Sequence, residues 1–258
     1  MSWAGERRAT IIAIASFVVL AALLILGFSI FYDTPTCTDR KQNQDEDGID
    51  CGGSCTTLCS FQVEDAPVVS FVRALTPQMG RTDIVAQIEN RNETAEAVDA
   101  PFLLEVYDAN RRLIAKKTIQ VDLPPETTVP IYLADVAPRE SVAAQAFLVP
   151  DTESIVWRKV SGERIFLPTV TQILIAEGDA PRVTATLVNP LARVIYDITL
   201  IAIVRDASGN VIAASQTVVS ALPSQGTAPV TFTWNTPFSA FSPRVDIYPV
   251  PELSSRVP

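Results

Sequence analysis

Residues 106–115 read VYDANRRLIA, and residues 204–213 read VRDASGNVIA. In each, two apolar runs frame a short turn opened by Asp-Ala. Asx side chains and Gly supply tight hairpin geometry, so both stretches read as a β-hairpin. The likeness extends outward. Residues 84–90 (IVAQIEN) match 183–189 (VTATLVN), Leu123-Pro124 match Leu222-Pro223, and Ile131-Tyr132 lie near the counterpart of residues 232–234 (FTW). The offsets are 98–99 residues throughout. A solenoid repeats every 20–50 residues or so, whereas this spacing is about one small β domain used twice.

The segments between agree. Residues 83–89 (DIVAQIE), 102–108 (FLLEVYD) and 117–123 (KTIQVDL) alternate in part between apolar and polar. Proline and Asn/Asp/Gly clusters punctuate them at the spacing of all-β domains. Asn90 and Asn189 end a strand just before a loop, where an Asx turn is the expected use of such a residue. The expected fold is mainly β: two antiparallel β-sandwiches at residues 63–160 and 161–253, with a short tail at 254–258.

A strand ending in Tyr-Asp or Arg-Asp, then a turn, a short Ile-Ala strand, Leu-Pro and a β-rich close, resembles FxLYD-type Ig-like domains. It is also similar to the water-stress domains of late-embryogenesis proteins. The resemblance covers residues 66–148 and 166–249. Residues 102–108 depart from the family's namesake spacing, and the second copy lacks the Tyr. It implies small Ig-like sandwiches of the kind borne by bacterial or archaeal surface proteins.

Ahead of the β region, residues 9–32 carry no charge. About 20 apolar residues span a hydrocarbon core of about 30 Å. A cleaved signal peptide has an apolar region of only about 7–15 residues and a small-residue cleavage site. This run is longer and closes on Phe28, Phe31 and Tyr32, rings suited to the membrane–water boundary. An uncleaved signal anchor is expected. Arg7 and Arg8 precede the run and Asp33 and Asp39 follow it, so a cytoplasmic tail of residues 1–8 and an exported remainder are expected.

All four cysteines, Cys37, Cys51, Cys55 and Cys59, fall in the acidic segment 33–62. In an exported chain an even, clustered count reads as two disulfides, with three connectivities open. Zinc is the alternative, although the C-x13-C-x3-C-x3-C spacing lacks the usual paired C-x2-C. Residues 43–55 (NQDEDGIDCGGSC) resemble a short cysteine-rich motif of bacterial surface proteins, with Arg40 where that motif often has Gly. The resemblance implies extracytoplasmic placement.

The same stretch raises calcium. Asn43, Asp45 and Asp47 alternate and Gly48 follows, as at positions 1, 3, 5 and 6 of an EF-hand loop. Position 12 is Ser54 and not a bidentate Glu, so Asp50 or Asp39 would have to contribute. A solvated acidic turn between disulfides is the other reading.

The chain has a net charge of −9 and no histidine. There is no basic stripe for nucleic acid, and the commonest general base is missing. No nucleophile elbow, phosphate loop or zincin motif occurs. Trp157, Trp234, Phe238 and Phe241 are candidates for a glycan-stacking face or for core. Asn92-Glu93-Thr94 is a glycosylation sequon. The expected function is a non-catalytic, membrane-anchored binding or structural protein for adhesion, scaffolding or envelope assembly, partnered by lipid and by an envelope protein or glycan. The alternatives are an accessory subunit of a secretion or cell-wall enzyme complex, and a carboxylate-based glycan enzyme.

Overall fold

A computed structural model describes residues 3–31, 36–43, 45–160, 166–239 and 242–253, and in the first helix the side chains of residues 8 and 10–29. The side chains of Arg7 and Phe31, residues Tyr32, Asp33 and Phe241, the start of the second expected sandwich and the tail at 254–258 lie outside the described residues. The chain divides into two compact units, Met1–Cys59 and Ser60–Pro258.

Helix α1 (Trp3–Phe31) starts ahead of the apolar run. Glu6, Arg7 and Arg8 are good helix formers, so helical bonding continues through the charged flank. Within it Thr10–Ser29 has mean hydropathy 3.0 and is not buried among the described residues. By length and composition it can cross a membrane. The rest of the first unit is a short cysteine module closed by two disulfides, Cys37–Cys55 and Cys51–Cys59. So few residues cannot enclose a core, and covalent links replace one.

The second unit is mainly antiparallel β. Its first half holds β1 (Val68–Gln78), β2 (Arg81–Asn90), β3 (Ala95–Tyr107), β4 (Leu113–Leu123), β5 (Thr127–Leu133), β6 (Gln145–Pro150) and β7 (Trp157–Lys159). Its second half holds β8 (Thr169–Ala176), β9 (Arg182–Val188), β10 (Ile195–Arg205), β11 (Val211–Leu222), β12 (Thr227–Thr233) and β13 (Arg244–Pro249). In the first half β2 lies between β1 and β5, and β3 between β4 and β6. In the second, β9 lies between β8 and β12, and β10 between β11 and β13. The same pairing scheme is used twice, except that β7 extends the edge of β3 in the first half.

Turn chemistry explains why. The Asp108 carboxylate accepts the N–H of Asn110 (2.9 Å) and Arg112 (2.8 Å), and the Asp206 carboxylate accepts those of Ser208 (2.9 Å) and Asn210 (2.8 Å). Left-handed backbone falls at matching places: Asp99 and Asp197, Arg111 and Gly209, Glu126 and Gln225. Asn90 does more than form an Asx turn. Its Oδ1 accepts the Asn92 N–H (3.1 Å), and its Nδ2 donates to the carbonyls of Ala95, Leu123 and Pro124. Asn189 repeats this with the Leu191 N–H and the carbonyls of Arg193, Leu222 and Pro223. The matching Asn and Leu-Pro segments are two ends of one hydrogen-bonded corner.

Between the two sheets of the second half, Val183, Leu187, Leu200, Val204, Phe232 and Trp234 belong to one buried cluster. A second cluster joins the halves. Leu75 and Val85 from the first pack with Ile201, Ile203, Val211 and Ala214 from the second. Strands β2 and β10 are therefore buried on both faces. That accounts for the incomplete alternation of residues 83–89 and the unbroken apolar run at 200–204, since a strand covered on both sides needs no polar face.

Candidate functional site

The cysteine module carries most of the residues singled out from sequence, and its acidic side chains hold backbone. Both oxygens of Asp50 accept backbone N–H groups, from Asp39 (2.9 Å) and Arg40 (2.9 Å). Asp39 accepts from the Thr36 hydroxyl (2.6 Å), the Asn43 amide (2.8 Å) and the Lys41 N–H (2.9 Å), and these hold its carboxyl below the ordinary range. Asp47 Oδ2 accepts the Gly53 N–H at 2.9 Å. Gly52 and Gly53 both have positive φ, and a Cβ on Gly53 would lie 1.6 Å from the Asp45 carbonyl oxygen. The Cys-Gly-Gly step thus needs its glycines for close approach as well as for backbone conformation.

Of the calcium set, Asn43 is buried, Asp45 and Asp47 are exposed and Asp50 is half-buried. Asn43 and Asp50 are linked through Asp39, and Asp47 reaches toward Gly53. With Cys37 and Cys55 bonded to each other, as are Cys51 and Cys59, the thiolates a zinc site would need are taken up.

A second candidate lies in the β unit, where a cleft of about 140 Å³ opens beside the seam between the halves. Leu75, Pro77 and Asp83 line it from the first half, and Ile212, Trp234 and Phe238 from the second. Trp234 is core as well as lining. Its Nε1 donates to the Ala214 carbonyl (3.2 Å), and Phe238 meets its ring edge-on at 5.0 Å. Trp157 is buried on β7 in the other half, so the three described candidates, Trp157, Trp234 and Phe238, do not form one face.

Sequence reading overlooked Asp83, the carboxylate at this cleft. It is 1% exposed, and its oxygens accept from Arg81 Nε (2.7 Å), the Asp135 N–H (3.0 Å) and the Tyr132 hydroxyl. Burial, then Asp83, pushes the Tyr132 phenol above its ordinary 10.0, and the bond to Asp83 strengthens the hold of Arg81 on its proton. The available signal was Arg81-Thr-Asp83: residues two apart share a strand face, and opposite charges there are preset to pair. Nearby, the Thr236 hydroxyl donates to the Pro77 carbonyl (3.2 Å), and the Arg205 guanidinium lies 4.9 Å from the Phe71 ring centroid. The sequon asparagine is buried too. Asn92 Nδ2 donates to the Asp65 carbonyl and to Asn90 Oδ1, leaving it poorly placed for a glycan.

No protein-family model matches this chain, and no curated protein matches it. Among solved structures the chain is similar to red sea bream transglutaminase, at 14% identity and TM-score 0.24, over 72% of this chain and 29% of that one. It is similar to a β-glucuronidase from glycoside hydrolase family 2, at 12% identity and TM-score 0.23, over 81% of this chain and 26% of that one. An N-terminal tandem CBM22 domain from Paenibacillus barcinonensis matches at 9% identity and TM-score 0.16, over 75% of this chain and 88% of that one. The chain thus spans less than a third of the transglutaminase and of the glucuronidase.

Proposed function

We propose that this chain is a membrane-anchored, extracytoplasmic binding or structural protein that displays two Ig-like modules. In this reading α1 is an uncleaved anchor with its N-terminus inside, the arginine-before, aspartate-after flanks setting the direction. The cysteine module belongs outside, where disulfides persist. The two β halves are copies of one module, a reading supported by the repeated pairing scheme, Asn corner and turn geometry.

The observation that carries a display role is the apolar seam through Val85, Ile201 and Ile203. Two modules that share a core offer a partner one stiff surface, with less conformational entropy lost on binding than two loosely tethered beads. Asp83 suits this better than catalysis, because Arg81, Tyr132 and Asp135 already engage its oxygens.

The accessory-subunit reading draws on one patch. Phe147 and Val149 of β6 are each about half exposed, and Tyr107 meets the Phe147 ring edge-on. Exposed apolar side chains that cluster mark protein contacts. The deciding experiment adds protease outside intact spheroplasts and separately recovers crosslinked partners. Cleavage of the β unit with α1 retained in the membrane is expected, and full protection of the C-terminal region would overturn the orientation. Loss of a crosslinked protein in a Phe147→Asp variant favours the accessory-subunit reading.

A further inference from the structure

Glu46 is 4% exposed. Its Oε2 accepts the Asn43 N–H at 3.1 Å, and its own N–H donates to the Asn43 carbonyl at 2.8 Å. Its Oε1 faces Sγ of Cys55 at 3.3 Å. That sulfur is bonded to Cys37 and has no hydrogen to give. Among the described residues no N–H or O–H is placed on Oε1, and a buried acceptor in that position calls for an explanation. Returning Cys55 to a thiol would supply the donor. The half-buried end, Cys37, is the one an external thiol can reach, Cys55 being 1% exposed. Cys51 and Cys59 differ in the same way, so the Glu46 contact and not access sets the first bond apart.

We propose that Cys37–Cys55 is an exchangeable disulfide, attacked by an external thiol at Cys37, and that Glu46 favours its open form by accepting the Cys55 S–H. A thiolate attacks Sγ of Cys37, and a new S–S bond joins the reagent to Cys37. The Cys37–Cys55 bond breaks with its electron pair on Cys55 sulfur, which takes one proton from water and donates that S–H to Glu46 Oε1. A second thiolate can then displace Cys37 as a free thiol, the reagent leaving as its own disulfide. The product of the first step is a mixed disulfide on Cys37, so this cysteine is the modification site for small or protein thiols. Cys51–Cys59 takes no part in this exchange.

The test uses the full chain in detergent micelles, equilibrated with graded mixtures of reduced and oxidised glutathione. Alkylation and peptide mass spectrometry then identify which cysteines have opened. In the wild type Cys37–Cys55 opens in less reducing mixtures than Cys51–Cys59, and glutathione is found on Cys37. In Glu46→Gln, whose amide can turn N–H toward the sulfur, the open-to-closed ratio falls about ten-fold, or about 30 mV for a two-electron couple, and Cys51–Cys59 does not move. An unchanged ratio overturns the role of Glu46. Should the variant disturb the module, the wild type decides: opening of Cys51–Cys59 first, or glutathione on Cys55 in place of Cys37, overturns the proposal.

Discussion

In the first half of the β unit, Asp83 opens the core of β2 as a buried carboxylate bonded to Arg81, Tyr132 and Asp135. At the matching place on β9, one residue before Val183, stands Arg182, exposed and paired in register with Thr233. The corners that hold sheet to sheet are alike in the two halves, and the residues that face the other half are not. Local devices such as Asn90 and Asn189 serve each half's own fold, so both halves keep them. A surface that meets a different partner on each side has no reason to match.

The strongest challenge to that contrast is removal of both corners. Asn90→Ala leaves the carbonyls of Ala95, Leu123 and Pro124 without their donor, and Asn189→Ala does the same to Leu222 and Pro223. Each substitution should cost about 3 kcal/mol, the expected loss for a buried polar group serving several bonds. Urea unfolding should give the two losses within about 1 kcal/mol of each other. A large effect at one site only would mean that the corners are not equivalent.

The next comparison should come out unequal. Asp83→Ala removes the acceptor shared by Arg81, Tyr132 and the Asp135 N–H and is expected to cost about 2 kcal/mol, whereas exposed Arg182→Ala should stay within about 0.5 kcal/mol. The same asymmetry has a pH signature. Because the folded state raises the Tyr132 phenol above 10.0, the unfolded chain loses that proton first, and stability should fall as the solution is made alkaline beyond that value. Tyr132→Phe should flatten the alkaline limb of urea midpoints measured at pH 9 and at pH 11. On the acid side the halves should behave alike. Asp108 is held below 3.8 mainly by the Arg112 N–H, and Asp206 by the Asn210 amide and N–H. Both contribute stability above that value that is lost as pH falls below it, and Asp108→Asn and Asp206→Asn should each weaken the acid limb to a similar, small extent.

Smaller still is the exchange at the hairpin tips. Arg111 sits at φ 61° where the other half has Gly209 at φ 85°. Arg111→Gly should stabilise by about 0.5 kcal/mol, relief of left-handed strain being partly offset by the entropy glycine loses on folding. The smallest expected effect is that of calcium. Asp47 and Asp50 already accept backbone N–H groups, so about 5 mM calcium should leave the amide NMR signals of Gly48 and Gly53 in the full chain unmoved. Calcium-dependent shifts abolished by Asp45→Asn with Asp47→Asn would establish the EF-hand-like reading instead.

The hairpins, the Asx turns at Asn90 and Asn189 and the apolar helix were legible because each is local, whereas the bonds from those asparagines to carbonyls 33–34 residues away were not. Disulfides could be expected from the cysteine count, but their pairing could not, since Cys51 lies nearer to Cys55 along the chain and bonds Cys59. The seam left a trace that was easy to misread. Residues 83–89 alternate imperfectly because Val85 and Gln87 are covered as well as Ile84, Ala86 and Ile88, and an apolar run alone does not say what covers it. Asp83 and Glu46 were illegible for a different reason. Acids in a sequence default to the surface, and only the fold reveals which of them are enclosed.

The seam also bears on how this protein can be divided. A cut through residues 161–165 would leave Leu75 and Val85 bare on one piece, and Ile201, Ile203 and Val211 bare on the other. Either piece alone would offer water an apolar stripe and would be prone to self-association. The two halves are therefore poor candidates for separate expression, shuffling or exchange, and a lesion that unfolds one is expected to expose the other.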